Sequence, residues 1–192
     1  MAEPRPAGRA KLFVGVLAAR AELLPLCRAR LEEAFGPVDE ASEVMQFNFT
    51  RYYEPEMGPA IQRQFFAFAE LIRPDFLSEV KLRTNRVERE IAEVVRAVPR
   101  PVNLDPGYLT LSKVVLATMK DHAHRLYLCA GVYAEVTLYF CRGKWEPWPW
   151  TYADYASEAY RTFFSRVRER FRLQLRSERG GLPFLERGGE MS

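Results

Sequence analysis

Lys11-Leu12-Phe13-Val14-Gly15-Val16-Leu17-Ala18 decides how the rest of the chain is read. A continuous apolar run of this length fits a strand covered on both faces. Arg5 and Arg9 before it and Ala19-Arg20-Ala21 after it also outline a secretory leader. The run is short for a leader, and Arg20 interrupts the cleavage pattern. We therefore expect a retained, buried first strand and a cytoplasmic protein.

Outward from that strand, periodicity sets the order of elements. Residues 22–35 read as a helix with Leu23, Leu26, Cys27, Leu31, Ala34 and Phe35 on one face and Gly36-Pro37 as its stop. Residues 43–50 alternate: Met45, Phe47 and Phe49 point one way, Gln46 and Asn48 the other. Residues 51–59 read as a loop, and residues 62–69, with Phe65, Phe66 and Phe68, as a strand. Pro74 suits a helix start. After it Leu77, Val80, Thr84, Val87, Ile91 and Val94 recur at spacings of three and four, an amphipathic helix that Pro99 and Pro101 close. Residues 101–104 then form a short strand that delivers Asp105-Pro106-Gly107 as a turn. The order strand, helix, strand, strand, helix, strand is the ferredoxin-like βαββαβ pattern; another α+β sandwich is the alternative.

Beyond that core, residues 109–118 suit either a short helix or a strand. Residues 125–129 and 132–141 read as a β-hairpin turning at Ala130-Gly131. In its second arm Val132, Ala134, Val136, Leu138 and Phe140 share one face, and Tyr133, Glu135, Thr137 and Tyr139 the other. Gly143 marks the next turn. A C-terminal helix over residues 157–175 buries Tyr160, Phe163, Phe164, Val167, Phe171 and Leu175. The expected architecture is α+β: a ferredoxin-like core extended by a hairpin and a C-terminal helix. It forms one domain over residues 11–175, between a disordered tail (1–10) and a flexible one (176–192).

Composition narrows the function classes. At 192 residues, 48% hydrophobic and 28% charged, the chain has the make-up of a single soluble domain with a sizeable core. A formal charge of +3 permits a phosphate-bearing partner without requiring one. No stretch is long enough to span a membrane. Cys27, Cys129 and Cys141 lack zinc or redox spacing and read as reduced core thiols. The phosphate loop G-x-x-x-x-G-K-[ST], the dinucleotide fingerprint and the serine-hydrolase elbow are all absent. His122 and His124 alone leave a zinc site short of ligands.

The stretch 103–155 gathers the residues that carry chemistry, including both histidines and all three tryptophans. Asp105 serves either its own turn or a ligand. Lys120-Asp121-His122-Ala123-His124-Arg125 leads straight into an apolar strand, so its end is tethered to the core. His124 is the candidate general acid or base, since its ordinary pKa lies near neutrality. The Arg125 fork suits a carboxylate or phosphate. Glu135 sits mid-strand, where glutamate is disfavoured; if covered, it needs Arg125, Lys113 or Lys120 as partner, or a metal, and if its face meets solvent, Glu135 and Thr137 are ordinary outward residues. Residues 145–155 either roof a pocket or cover the sheet edge.

Several pieces of the chain together resemble the domain-of-unknown-function family 4416 of small bacterial proteins. They are residues 11–15, Tyr52-Tyr53-Glu54-Pro55-Glu56-Met57-Gly58, Asn103-Leu104-Asp105-Pro106-Gly107-Tyr108-Leu109, Lys120-Asp121 with His124-Arg125, Glu135-Val136-Thr137-Leu138 and Trp150-Thr151-Tyr152. The resemblance implies no established chemistry. A GTP-binding label carried by some relatives has no phosphate loop here to rest on. The resemblance favours His124 over His122.

Three functions compete. In the first, the protein is an enzyme or specific binder for a small phosphorylated or nucleotide-like ligand. Asp105, Asp121, Glu135 and His124 then supply metal binding or proton transfer, and Lys113, Lys120, Arg125, Tyr108 and Trp150 supply ligand contacts. Magnesium is the ion that such oxygen ligands suit. The second is an RNA-binding module, with Phe47, Phe49, Phe66 and Phe68 as a stacking platform beside Arg161, Arg166, Arg168, Arg170, Arg172 and Arg176. The third is a non-catalytic interaction protein. Convergence of Asp105, His124 and Glu135 on one concave pocket discriminates the first from the third.

Overall fold

The computed structural model describes residues 3–180. They form one antiparallel sheet of nine strands and four α-helices, an α+β architecture. At its centre is β1 (Ala10–Ala18), every residue of which is buried. It pairs antiparallel with β4 (Gln62–Ile72) on one side and β5 (Val102–Leu109) on the other. Leu12, Val14 and Val16 pack in one core with α1 (Leu24–Phe35) and α3 (Leu77–Val94). Phe13 packs in a second core with α4 (Glu158–Gly180). The sheet is thus a middle layer, and a strand covered on both faces has no reason to alternate.

The remaining elements complete the order β2-β4-β1-β5-β6-β8-β7. These are β2 (Val38–Ala41), β6 (Lys113–Thr118), β7 (Leu126–Cys129) and β8 (Val132–Cys141); β3 (Met45–Gln46) also pairs with β4, and β9 (Lys144–Pro147) with β8. A single helical turn, α2 (Glu54–Met57), lies in the segment expected to be a loop. No helix among the described residues is long and apolar enough to cross a membrane.

Several expectations need correction. Residues 43–50 pair with β4 only at Met45 and Gln46. The edge strand β2 instead has two acidic residues whose partners are distant in sequence: Asp39 meets Lys11, and Glu40 meets Arg166 and Arg170. Asp105-Pro106-Gly107 is no turn but lies inside β5, opposite Gly15, Val14 and Phe13. Residues 109–118 resolve into the end of β5 and strand β6. Ala10 already belongs to β1, and α4 continues through Arg176 to Gly180, so neither expected tail begins where composition placed it. The rest of the expected C-terminal tail, residues 181–192, lies outside the described residues. Cys27 is buried, but Cys129 and Cys141 are exposed, and all three are free.

The hairpin turns at Ala130-Gly131 as expected, both residues having positive φ, the two-residue geometry whose twist matches the flanking strands. Its second arm does not keep one parity. Val114 pairs with Leu138 but Val115 pairs with Val136, leaving Thr137 as the extra residue of a bulge. Val132, Ala134 and Val136 therefore pack toward Leu77 of α3, whereas Leu138 and Phe140 pack in the α4 core.

Candidate functional site

A splay between two strands makes the site. The β5–β6 ladder holds only at Gly107–Leu116, Tyr108–Val115 and Leu109–Val114. Alternate residues of an antiparallel strand direct N–H and C=O to the same edge. Leu104 turns both toward the side away from β1, and Pro106, two residues on, has no N–H to offer β6 there. The ladder stops, and β6 departs. Side chains of α3 take over: the Leu104 N–H donates to Glu88 Oε1 at 2.7 Å, and Lys81 Nζ donates to the Leu104 carbonyl at 2.9 Å. Gly107 permits the close approach that begins the splay, since a Cβ there would lie 2.4 Å from the Val115 carbonyl oxygen and 2.5 Å from the Phe13 ring. The gap is a cavity of about 630 Å³.

Arg63 anchors one wall. It stands in β4, only 2% exposed, with Nη1 3.3 Å from Asp105 Oδ2, Nη2 3.3 Å from Asp154 Oδ2 and Nε donating to Tyr160 Oη at 3.1 Å. Gly15 on β1 clears its path: a Cβ there would come within 2.8 Å of Arg63 Nη1. Burial works against the Arg63 charge, but Tyr160, Tyr155 and the two aspartates more than offset it, so its pKa is raised. Burial pushes the Asp154 carboxyl above its ordinary range, with Arg63 opposing. Burial likewise lifts Tyr160 to about 12 and Tyr155 well above a free phenol. The Tyr155 hydroxyl has no hydrogen-bond partner among the described residues.

Glu135 forms the opposite wall, 3% exposed. Its Oε2 accepts from Arg125 Nε at 2.8 Å and from His124 Nε2 at 3.1 Å. Arg125 Nη2 donates to Tyr152 Oη at 2.6 Å, and Nη1 to the Lys120 carbonyl at 2.9 Å. Burial opposes the Arg125 charge, but Glu135 and Tyr152 hold the guanidinium above its ordinary value. Because a carboxylate only accepts, His124 carries its proton on Nε2. The ring is stacked on Trp150 at 5.5 Å, and its Nδ1 meets His122 Nδ1 at 3.1 Å. Trp150 is fixed in turn by donating from Nε1 to the Val136 carbonyl at 3.1 Å.

Of the residues singled out from sequence, Asp105, Lys120, Arg125 and Glu135 line the same cavity. His124 and Trp150 do not; His124 bonds Glu135 from outside the lining, and Trp150 stacks on His124. Asp121 is exposed and is not among the cavity's lining residues. Tyr108 lies on the face opposite Asp105, packed with the Leu77 cluster, where burial raises its pKa. Lys113 sits at the exposed start of β6 opposite Tyr139, outside the cavity. The strand period separates Tyr108 from Asp105, since residues three apart face opposite ways. Among the described residues no group of three or more His, Cys, Asp or Glu is placed to hold a metal ion.

The chain also builds the site from residues that sequence reading passed over. Arg63, Lys81, Glu88, Arg100, Asn103 and Asp154 all line the cavity. Arg100 contacts Asn103 Oδ1 and lies 3.3 Å from Glu88 Oε2. Burial raises the Glu88 pKa against the pull of Lys81. A signal existed for two of them. Arg63 is a charge two residues before the Phe65-Phe66 pair on its strand, in phase with buried Phe65, and Glu135 is likewise a charge within a strand. Lys81 falls on the buried stripe of its helix, four residues from Leu77 and three from Thr84.

The chain belongs to the family described as a domain of unknown function, DUF4416, whose model matches residues 8–171. No curated protein and no solved structure matches it.

Proposed function

We propose that this protein is a specific binder of a small phosphorylated or nucleotide-like ligand, equipped for acid–base chemistry on it, and that the splay cavity is the binding site. The observation that carries this reading is the cavity's lining. Five cations (Arg63, Lys81, Arg100, Lys120 and Arg125) face four carboxylates (Glu88, Asp105, Glu135 and Asp154), and neither Lys81 nor Lys120 is ion-paired with one of these carboxylates. Exposed aromatic rings of Phe49, Tyr52 and Tyr152 stand among the same lining residues, suited to stack on a base. Lys120 donates to Tyr52 Oη at 2.9 Å and lies 4.6 Å from that ring, so it is placed to meet a phosphate between ring and cavity. Glu135 serves as the proton acceptor from the ligand, with His124 as the residue that positions its carboxylate. Magnesium, which binds through one or two carboxylates together with substrate phosphates, would enter with the ligand at Asp105.

The aromatic platform required for RNA stacking is not free in the sheet. Phe66 and Phe68 are core, Phe47 is buried beside Arg63, and only Phe49 is exposed. Four of the six arginines have partners within the chain: Arg166 and Arg170 with Glu40, Arg172 with Glu169 and Arg168 over Phe140. These contacts favour the small-ligand reading. We also propose a ferredoxin-like core, supported by the antiparallel order β2-β4-β1-β5 with α1 and α3 on one face, and a cytoplasmic location.

Thermal melts with nucleotides, sugar phosphates and magnesium test the binding reading. A ligand at about 100 times its Kd adds about 2.7 kcal/mol of stability, several degrees of melting temperature for a chain of this size. A panel in which no phosphorylated compound shifts the melt contradicts it.

A further inference from the structure

We propose that Lys81 and Asn103 form an oxyanion subsite at the inner end of the cavity, which seats a terminal phosphoryl or carboxylate group of the ligand. The inference rests on the reading of the cavity as a ligand site and adds which end of the ligand goes in first. Lys81 is 6% exposed, and its ammonium donates one hydrogen bond, to the Leu104 carbonyl. Two of its three donors remain. The nearby carboxylate is already engaged: Glu88 Oε1 accepts the Leu104 N–H, and Oε2 lies beside Arg100. Asn103 is 4% exposed; its Oδ1 takes the Arg100 guanidinium, and its Nδ2 has no partner among the described residues.

These are two buried donors on one lining, tied together around the Leu104 peptide. Leaving either unsatisfied is costly, and a desolvated cation without an anion is the costlier of the two. Arg100 is shared between Glu88 and Glu56, so Lys81 is the cation at this end of the cavity that no carboxylate bonds. An oxygen that accepts from both Lys81 Nζ and Asn103 Nδ2 and brings negative charge satisfies both groups at once. A neutral carbonyl would leave the charge unmatched. The exposed rings of Phe49, Tyr52 and Tyr152 mark the solvent side of the cavity, so the ligand enters with its oxyanion leading and its ring behind.

Titration calorimetry of the full chain with inorganic pyrophosphate and, separately, malonate tests this, comparing wild type with Lys81→Met and Asn103→Asp. The subsite predicts that Lys81→Met binds the preferred oxyanion roughly 10- to 100-fold more weakly. Its unliganded melting temperature should be unchanged or higher, because an unmatched buried charge has been removed. Asn103→Asp, which supplies a resident carboxylate to Lys81, should also abolish oxyanion binding, and it keeps the test decisive if Lys81→Met does not fold. Preference for malonate with the same Lys81 dependence keeps the subsite and overturns the phosphate reading of the cavity. Wild-type binding that both variants retain overturns the subsite alone. Failure of the wild type to bind either oxyanion overturns the subsite, whatever the melts with larger ligands show.

Discussion

Arg125 Nε donates to Glu135 Oε2 at 2.8 Å, across a hairpin whose two arms present these residues to the same cavity. Their side chains are 6% and 1% exposed, so each is the main neutraliser of the other. Removing one partner of such a buried pair strands a charge, whereas replacing both by apolar groups removes the desolvation cost as well. Arg125→Met is expected to lose about 3 kcal/mol. Adding Glu135→Leu should recover part of that loss in urea unfolding. A double variant less stable than the single one would show that Glu135 is not left as a stranded charge.

Gly15 and Gly107 are required for close approach and not for an unusual backbone angle. Gly15→Ala brings a methyl against Arg63 and Phe65, and Gly107→Ala brings one against the Val115 backbone. Overpacking of this kind costs about 1–3 kcal/mol. The Gly107 change should cost more, because a side-chain end can give way and a paired strand cannot. Chemical denaturation that finds Gly15→Ala the more harmful of the two would contradict this account of the splay.

Glu88 gives a pH signature. Burial raises its folded-state pKa above the ordinary carboxylate value of 4.5. The folded state then holds a proton that the unfolded state has released, so this group's contribution to stability falls as pH rises through and above that value. The stability of wild type relative to Glu88→Gln should therefore decrease as pH rises from the ordinary carboxylate value toward the raised folded-state one. A relative stability that rises with pH would mean that the ion pair with Arg100 outweighs burial.

Thiol reactivity separates the cysteines. Burial lifts Cys27 to about 12, so it stays protonated and inaccessible at neutral pH. Cys129 and Cys141 are exposed. A thiol reagent on native protein should label these two at once and Cys27 only after unfolding. Three fast thiols would show that the α1 packing against β1 is loose.

Much of this fold was legible because its signals are local. The run that forms β1, the stripe of α3, the Ala130-Gly131 turn and the stripe of α4 each announce themselves within a few turns of chain. What was not legible depends on partners far away in sequence. The edge strand β2 looks too acidic for a sheet until Lys11, Arg166 and Arg170 are brought to it. The bulge at Thr137 changes which residues of β8 meet which core, and no local pattern encodes it. The site follows the same division. Asp105, Arg125 and Glu135 stood out as charges in or beside strands, while Asp154 and Arg100 look like ordinary loop residues until Arg63 and Glu88 are placed beside them. Pro106 was read as part of a turn. Its consequence is to end a ladder, which only the neighbouring strand reveals.

The central claim is that the splay between β5 and β6 is a binding site for a phosphorylated ligand. A crystal structure determined with a nucleoside triphosphate and magnesium tests it most directly. The account predicts density for the ligand in the cavity, its terminal phosphate beside Lys81 and Asn103, its remaining phosphates toward Lys120 and its base against the Phe49, Tyr52 or Tyr152 ring. Density that places the nucleotide elsewhere on the protein, or a cavity holding only water at saturating nucleotide, would contradict it.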